Sequence, residues 1–295
     1  MKYALYPGCV AEDSCRELGM AIKFVTRKLG LEMTTIENAT CCGSGYLTAY
    51  DGELSNFLNG RTLALAEKAG ADTLVTVCSL CQLSLMKVDK ELKRDPAALK
   101  RTNERLAEVK LHYSGKLKIK HLLQVLLEDY GIEKIAAKVT RPLNLKVAPF
   151  YSCQLLRPSD ILHFDDPEDP KSLANLIKAL GGTPVEFPGK TKCCGFHILV
   201  VDPEMAIKMS GSILEDVKKR GADCMVVPCP CCHLVFDMYQ PRIEKGLGKK
   251  LRLPIVHLPQ LIGLALGMMP KELGMGRHVA DATKLRPRAK ASTGS

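Results

Sequence analysis

The chain carries 13 cysteines, and most of them fall into two sets of matching order. The first set is Cys9, the adjacent pair Cys41 and Cys42, and the CxxC formed by Cys78 and Cys81. The second is Cys153, the pair Cys193 and Cys194, and the CxxC formed by Cys229 and Cys232. Adjacent cysteines seldom bond to each other, because the ring they would close is strained. Each pair is followed by glycine, in "TCCGSG" and "KCCGFH". With no side chain, glycine lets backbone amides approach sulfur. A closed zinc site takes four ligands, and a cubane [4Fe–4S] cluster takes four cysteines. A fifth thiol is then a spare, a supporting residue or a bridge between two irons. Its recurrence in both sets favours an unusual iron–sulfur site over zinc. Thioredoxin-like dithiols would account for the CxxC motifs alone and leave the other cysteines unexplained.

The elements between these cysteines must gather them. "KAGADTLVTVCSLCQLSL" (68–85) aligns without a gap on "KRGADCMVVPCPCCHLVF" (219–236). That puts Cys78 on Cys229 and Cys81 on Cys232, and leaves Cys231 as an extra thiol. "YALYPGC" matches "VAPFYSC", and "KIKHLLQVLLEDYG" matches "LPIVHLPQLIGLALG" with His121 on His257. An internal repeat of this kind means two copies of one structural unit. We place them at residues 1–142 and 143–270, with a polar, basic tail at 271–295 expected to be disordered after about residue 275. Within each copy, short β-prone runs end at a cysteine, and "DTLVTV" and "DCMVVP" read as buried strands that deliver a CxxC. "CRELGMAIKFVTRKLG" has helical spacing and closes at Gly30, while "RTLALAEKAG" and "GSILEDVKKRG" are amphipathic helices ending in glycine. Residues 86–118, rich in Lys and Glu, read as exposed helix. The expected fold is α/β: two tandem pseudo-symmetric cysteine-rich units, each with a small, mainly parallel sheet. Sites in such sheets sit beyond the strand carboxyl ends, so all cysteines of a unit can converge there, and the two sites should face one another.

Composition excludes several classes. No apolar run approaches the length of a membrane span, and the start "MKYALYPGCV" lacks a signal peptide's apolar region. The expected location is the cytoplasm, where disulfides seldom persist and a cysteine excess points to metal. The net charge of +10 suits acidic partners or anionic coenzymes, although the tail supplies part of it, and no nucleic-acid partner is expected.

The doubled pattern C…CCG…CxxC, together with "GADCMVVPCPCCHLVFD" and "HLPQLIGLALGM", resembles HdrB, the disulfide-cleaving component of heterodisulfide reductase and a CCG-domain family. The resemblance runs over nearly the whole chain, to about residue 270. It implies one noncubane [4Fe–4S] cluster on Cys9, Cys41, Cys42, Cys78 and Cys81. It implies a second on Cys153, Cys193, Cys194, Cys229 and Cys232. It further implies a catalytic disulfide oxidoreductase role within a complex, which in methanogens cleaves the mixed disulfide of coenzymes M and B between the clusters. Electrons would arrive through an HdrC-like iron–sulfur protein from an HdrA-like flavin protein. Two segments depart from the methanogen pattern: "CCGSG" stands where "CCPAPG" is expected, and "CCGFHILVV" lacks a glycine-rich run. Other readings are therefore a related complex of sulfur metabolism acting on lipoate-bound or sulfane sulfur, and a non-catalytic electron-transfer component of succinate dehydrogenase type. In the last, one site would hold a [4Fe–4S] cluster and the other zinc.

His197 and His233 each lie beside a cysteine ligand and are candidates to support the sites, and Lys192 could meet an anionic substrate. His121 and His257 recur in "HLxQ" away from the cysteines and read as structural. Cys15 and Cys224 read as buried small residues. The role of Cys231 stays open.

Overall fold

In a computed structural model, which describes residues 2–287, the repeat appears as two four-stranded sheets of identical topology. The first contains β1 (Tyr3–Tyr6), β2 (Met33–Thr35), β3 (Thr73–Thr76) and β4 (Lys118–His121), in the order β2-β1-β3-β4. The second contains β5 (Lys146–Pro149), β6 (Thr183–Pro184), β7 (Cys224–Val227) and β8 (Ile255–His257), in the order β6-β5-β7-β8. Every strand pairing is parallel, in register from Tyr3 opposite Thr73 and from Val147 opposite Cys224. β3 and β7 are buried along their whole length, as strands covered on both faces must be.

Helices fill the crossovers. Arg16–Leu29 ends as expected at Gly30, whose left-handed φ of 75° lets its amide close on Arg27 and Thr26 carbonyls. Gly52–Lys68 and Pro203–Lys219 are counterparts, each started by an aspartate: Asp51 accepts from Leu54 N and Asp202 from Met205 N. The Lys- and Glu-rich segment after the first CxxC is two helices, Ser79–Arg94 and Pro96–Ala107. Asp95 divides them by capping the second. Their inner faces, including Val88, Leu92 and Leu106, are buried.

Both units contribute to each of two hydrophobic cores. One joins Leu63, Leu74 and Leu85 to Phe150, Met225 and Phe236, and the other joins Ile22, Val75 and Leu123 to Val147, Ile177 and Val256. Among the described residues no helix is long and apolar enough to cross a membrane.

The tail departs from expectation. Through residue 287 it packs on the body, burying Leu273, Met275, Ala282 and Leu285. Its backbone also satisfies buried polar groups: Val279 N and Ala280 N donate to Asp237 at 2.8 and 3.0 Å, and Leu273 O accepts from Gln260 Nε2 at 3.0 Å. A polar composition hid these few well-spaced anchors. Residues 288–295 lie outside the described range.

Candidate metal centres

Each sheet delivers its single cysteine and its CxxC from the carboxyl ends of its two central strands. Cys9 follows β1 and opens a short helix, Cys9–Glu12; Cys153 follows β5 and opens Cys153–Leu156. Cys78 follows β3 as the residue before helix Ser79–Arg94, whose first turn carries Cys81. Cys229 follows β7 in the same way, before Pro230–His233. The adjacent pairs arrive on loops, and the counterpart helices Gly52–Lys68 and Pro203–Lys219 pin them. Asn59 Nδ2 donates to Cys42 O at 3.2 Å, and Ser210 Oγ donates to Cys194 O at 2.9 Å.

The glycine of each CCG triplet is required by backbone geometry. Gly43 and Gly195 have φ of 75° and 86°, which L side chains rarely adopt. A Cβ on Gly43 would collide with the Leu47 side chain, and one on Gly195 would press on Ala206 at 3.2 Å. In return each glycine amide turns toward sulfur: Gly43 N lies 3.4 Å from Cys41 Sγ, and Gly195 N lies 3.4 Å from Cys193 Sγ.

The thiols gather accordingly. Cys9 and Cys41 Sγ are 3.5 Å apart, and Cys42 and Cys81 Sγ are 3.4 Å apart. In the second set the Cys193 thiol is hydrogen-bonded to Cys153 and Cys194, and Cys194 to Cys232. Cys9 and Cys41 are exposed, Cys153 and Cys193 half-buried, and both CxxC motifs buried. Each site therefore has a buried CxxC floor and a more open mouth. The sites also meet, because Cys78 and Cys229 Sγ are 3.7 Å apart. The thiol of Cys231 lies within 4.8 Å of both.

Electrostatics within each set is lopsided. Hydrogen bonds from Cys42 and Cys9, with the Gly43 amide, pull the Cys41 thiol down to about 2, and bonds from Cys153 and Cys194, with the Gly195 amide, do the same for Cys193. The Cys42 thiol is pushed up to about 12, mainly by its bond to Cys41. Cys9, Cys81, Cys153 and Cys232 are also held above the ordinary thiol range, first by hydrogen bonds to neighbouring cysteines and then by burial. Metal ligation requires thiolates. Crowded sulfurs that resist ionising together are relieved by a cationic centre, which deprotonates its ligands outright.

Two cavities adjoin the sulfurs, and each CxxC reaches into the other unit's cavity. The first is lined by Cys9, Cys42, Cys78 and Cys81, and also by Pro230 and Cys231 from the second unit. The second is lined by Cys153, Cys193, Cys194, Cys229 and Cys232, and also by Ser79 and Leu80 from the first. Cys231 borders both. Two hydroxyls on the second cavity, Ser79 Oγ and Ser152 Oγ, are buried with no hydrogen-bond partner. Orphaned donors beside a thiol set fit a sulfide-bearing cluster, which would accept from them.

The supporting residues fare differently. His197 borders the second cavity and ties the two mouths together: its Nε2 lies 3.0 Å from Ser44 O, and Tyr46 OH donates to its carbonyl at 2.7 Å. Lys192 is exposed beside Cys193. His233 is not among the residues lining either cavity; its ring stacks on His257 with centroids 3.8 Å apart, and its Nε2–H donates to Ile255 O at 3.1 Å. Adjacency to Cys232 misled because helical residues next to each other face different ways. His121 is nearer the site than its sequence position suggests. Its Nδ1 accepts from Leu123 N at 3.1 Å, which leaves Nε2–H to donate to Pro228 O, also 3.1 Å away and one residue before Cys229. Burial holds it neutral, down to about 4. Sequence reasoning missed Ser79 and Ser152, although both lie beside cysteines of the repeat, and it missed Tyr46, for which no signal existed.

Comparison with known proteins agrees with this arrangement. The profile of the cysteine-rich domain family, CCG, matches residues 3–86 and 147–237. The chain is 39% identical, over 96% of its length and 99% of the relative's, to the 8-methylmenaquinol:fumarate reductase membrane anchor subunit of Wolinella succinogenes. It is 34% identical, over 94% of its length and 93% of the relative's, to the HdrB component of the ferredoxin/F420H2-dependent CoB-CoM heterodisulfide reductase of Methanosarcina acetivorans. In fold it is similar to a hypothetical protein from Helicobacter pylori, with a TM-score of 0.77, 16% identity, and coverage of 96% of this chain and 52% of that one. Two matched cysteine-rich units in one chain, with relatives of this kind along nearly its full length, place it in the CCG cysteine-rich domain family, among the HdrB-like proteins of heterodisulfide reductase.

Proposed function

We propose that this chain is the two-cluster iron–sulfur subunit of an oxidoreductase complex of heterodisulfide-reductase type. One [4Fe–4S] cluster of noncubane form is held by Cys9, Cys41, Cys42, Cys78 and Cys81, and another by Cys153, Cys193, Cys194, Cys229 and Cys232. The observation that carries this reading is the meeting of two matched thiol sets, with Cys78 and Cys229 sulfurs 3.7 Å apart. Such clusters supply one-electron steps, so two side by side suit a two-electron substrate. The protein's part is to hold thiolates with the Gly43 and Gly195 amides and to keep water from the CxxC floor. Equal thiol sets in both units favour two clusters over one cluster and a zinc ion. The partners on this reading are an HdrC-like cubane iron–sulfur protein and an HdrA-like flavin protein.

For the substrate, the mouth favours a quinol of the menaquinone class. The segments joined by Ser44 and His197 are those that depart from the methanogen pattern; the second carries Val200 and Val201, exposed at 85% and 82%, and Tyr50, exposed at 91%, follows the first. Exposed apolar side chains on these segments suit a lipid-soluble partner better than an anionic coenzyme. The Wolinella relative, named for menaquinol and fumarate, supports the same choice. A small disulfide cleaved between the clusters is the second reading, supported by the facing sites and the Methanosarcina relative. This chain, purified anaerobically and freed of its partners, should hold about eight irons. A menaquinol analogue should reduce the clusters. If only an added product thiol changes the EPR spectrum, the disulfide reading replaces the quinol one; about four irons and one zinc would remove the two-cluster reading.

A further inference from the structure

The two sites are not chemically equal, although the fold that builds them is. The repeat puts Ser152 where the first unit has Gly8, and Ser79 where the second has Pro230. Because each CxxC walls the other unit's cavity, Ser79 and Ser152 both border the second cavity, while Gly8 and Pro230 both border the first. Ser79 and Ser152 are 1% and 2% exposed, and neither hydroxyl has a partner. A buried unpaired hydroxyl destabilises a fold, so two in one cavity call for an acceptor inside it. Glycine and proline bring no side-chain donor to the first cavity. Ser44 borders that cavity too, but it is only half-buried, and water can satisfy its hydroxyl.

We infer that Ser79 and Ser152 are positioning residues that donate hydrogen bonds to the occupant of the second cavity and make the second-unit site the stronger electron acceptor. This rests on the two-cluster reading above. Hydrogen bonds to cluster sulfur stabilise the reduced, more negative form and raise its potential. An electron reaching the first-unit site then passes to the second: the first is oxidised by one electron, the second is reduced by one, and no proton need move.

The test is an EPR-monitored redox titration of the native complex, with iron counted in every sample. The cluster signals are assigned with Cys42→Ala and Cys194→Ala, each of which removes one cluster. Ser79→Ala and Ser152→Gly should each shift the reduction equilibrium of the second cluster about tenfold toward the oxidised form, about 59 mV, and leave the first unmoved. Glycine suits position 152, where φ is 63°. Ser79→Thr, which keeps the hydroxyl, should behave as wild type. Pro230→Ser should raise the potential of the first cluster, and this gain of function holds even if Ser79→Ala fails to fold. Unchanged potentials in the serine variants, with the wild-type iron content retained, would overturn the inference, and so would loss of about four irons from a variant that melts as wild type, which would make its hydroxyl a ligand. About four irons in the wild-type chain freed of its partners would instead sink the two-cluster reading.

Discussion

At the scale of single residues, the division of labour among the cysteines is unusually sharp. Cys41 and Cys193 have thiols pulled down by neighbouring thiols and then by a glycine amide, whereas Cys15 and Cys224 are buried and pushed up chiefly by desolvation. Replacing Cys42 or Cys194 with alanine should halve the iron content and leave the other site's EPR signal in place. Cys15→Ala and Cys224→Ala should leave iron unchanged. Gly43→Ala forces an alanine into a left-handed conformation against Leu47, which destabilises the fold by roughly 1–2 kcal/mol. Iron should be lost from the first site before the melting temperature falls far, because the glycine turns the amide toward Cys41. The ten clustered cysteines were legible in sequence because the repeat sets them at matching positions in both units. The hydroxyls of Ser79 and Ser152 were not, since serine beside cysteine carries no signal until the cavity it faces is known.

At the scale of elements, the junction from the last strand of each sheet to its next helix is built on histidine. His121 and Gln124 cap one junction, with Gln124 Oε1 accepting from His121 N at 2.8 Å, and His257 with Gln260 repeats the contact at 2.9 Å. The sequence showed the "HLxQ" repeat, and its structural reading follows from these caps, but the reach of His121 to Pro228 needed the second unit in place. The His121 side chain has a folded pKa depressed to about 4, and the unfolded value is about 6.5. The unfolded chain therefore binds the proton first. The stabilisation is complete above pH 6.5 and declines as pH falls toward 4, by about 3 kcal/mol in all. His121→Gln should flatten that part of the stability curve, as measured by urea midpoints at pH 7 and pH 5. An unaltered slope would show that another group governs it.

At the scale of the whole molecule, the repeat is a pair that cannot be cut. Leu74 and Phe236 belong to one core, and Val75 and Val256 to the other, so each half alone would expose a broad apolar face. Residues 1–142 and 143–295, expressed separately, should bind little iron and aggregate, whereas co-expression should restore both clusters in one stable heterodimer. Iron content and size-exclusion profiles distinguish the two outcomes. The tandem layout was readable from the alignment of the two CxxC segments. What the alignment does not reveal is that each segment serves two sites: its CxxC cysteines its own, and Ser79, Leu80 and Pro230 between them its neighbour's, with Cys231 bordering both.

That exchange of walls has a historical consequence. A single unit of this design would close its cavity only with the CxxC of an identical copy, as an isologous two-fold dimer. In such a dimer any serine gained on one side appears on the other, and both centres keep one potential by symmetry. Joining the copies in one chain lifts that constraint. Gly8 and Ser152, or Ser79 and Pro230, can then diverge, and a pair of identical electron stores becomes a step with a direction.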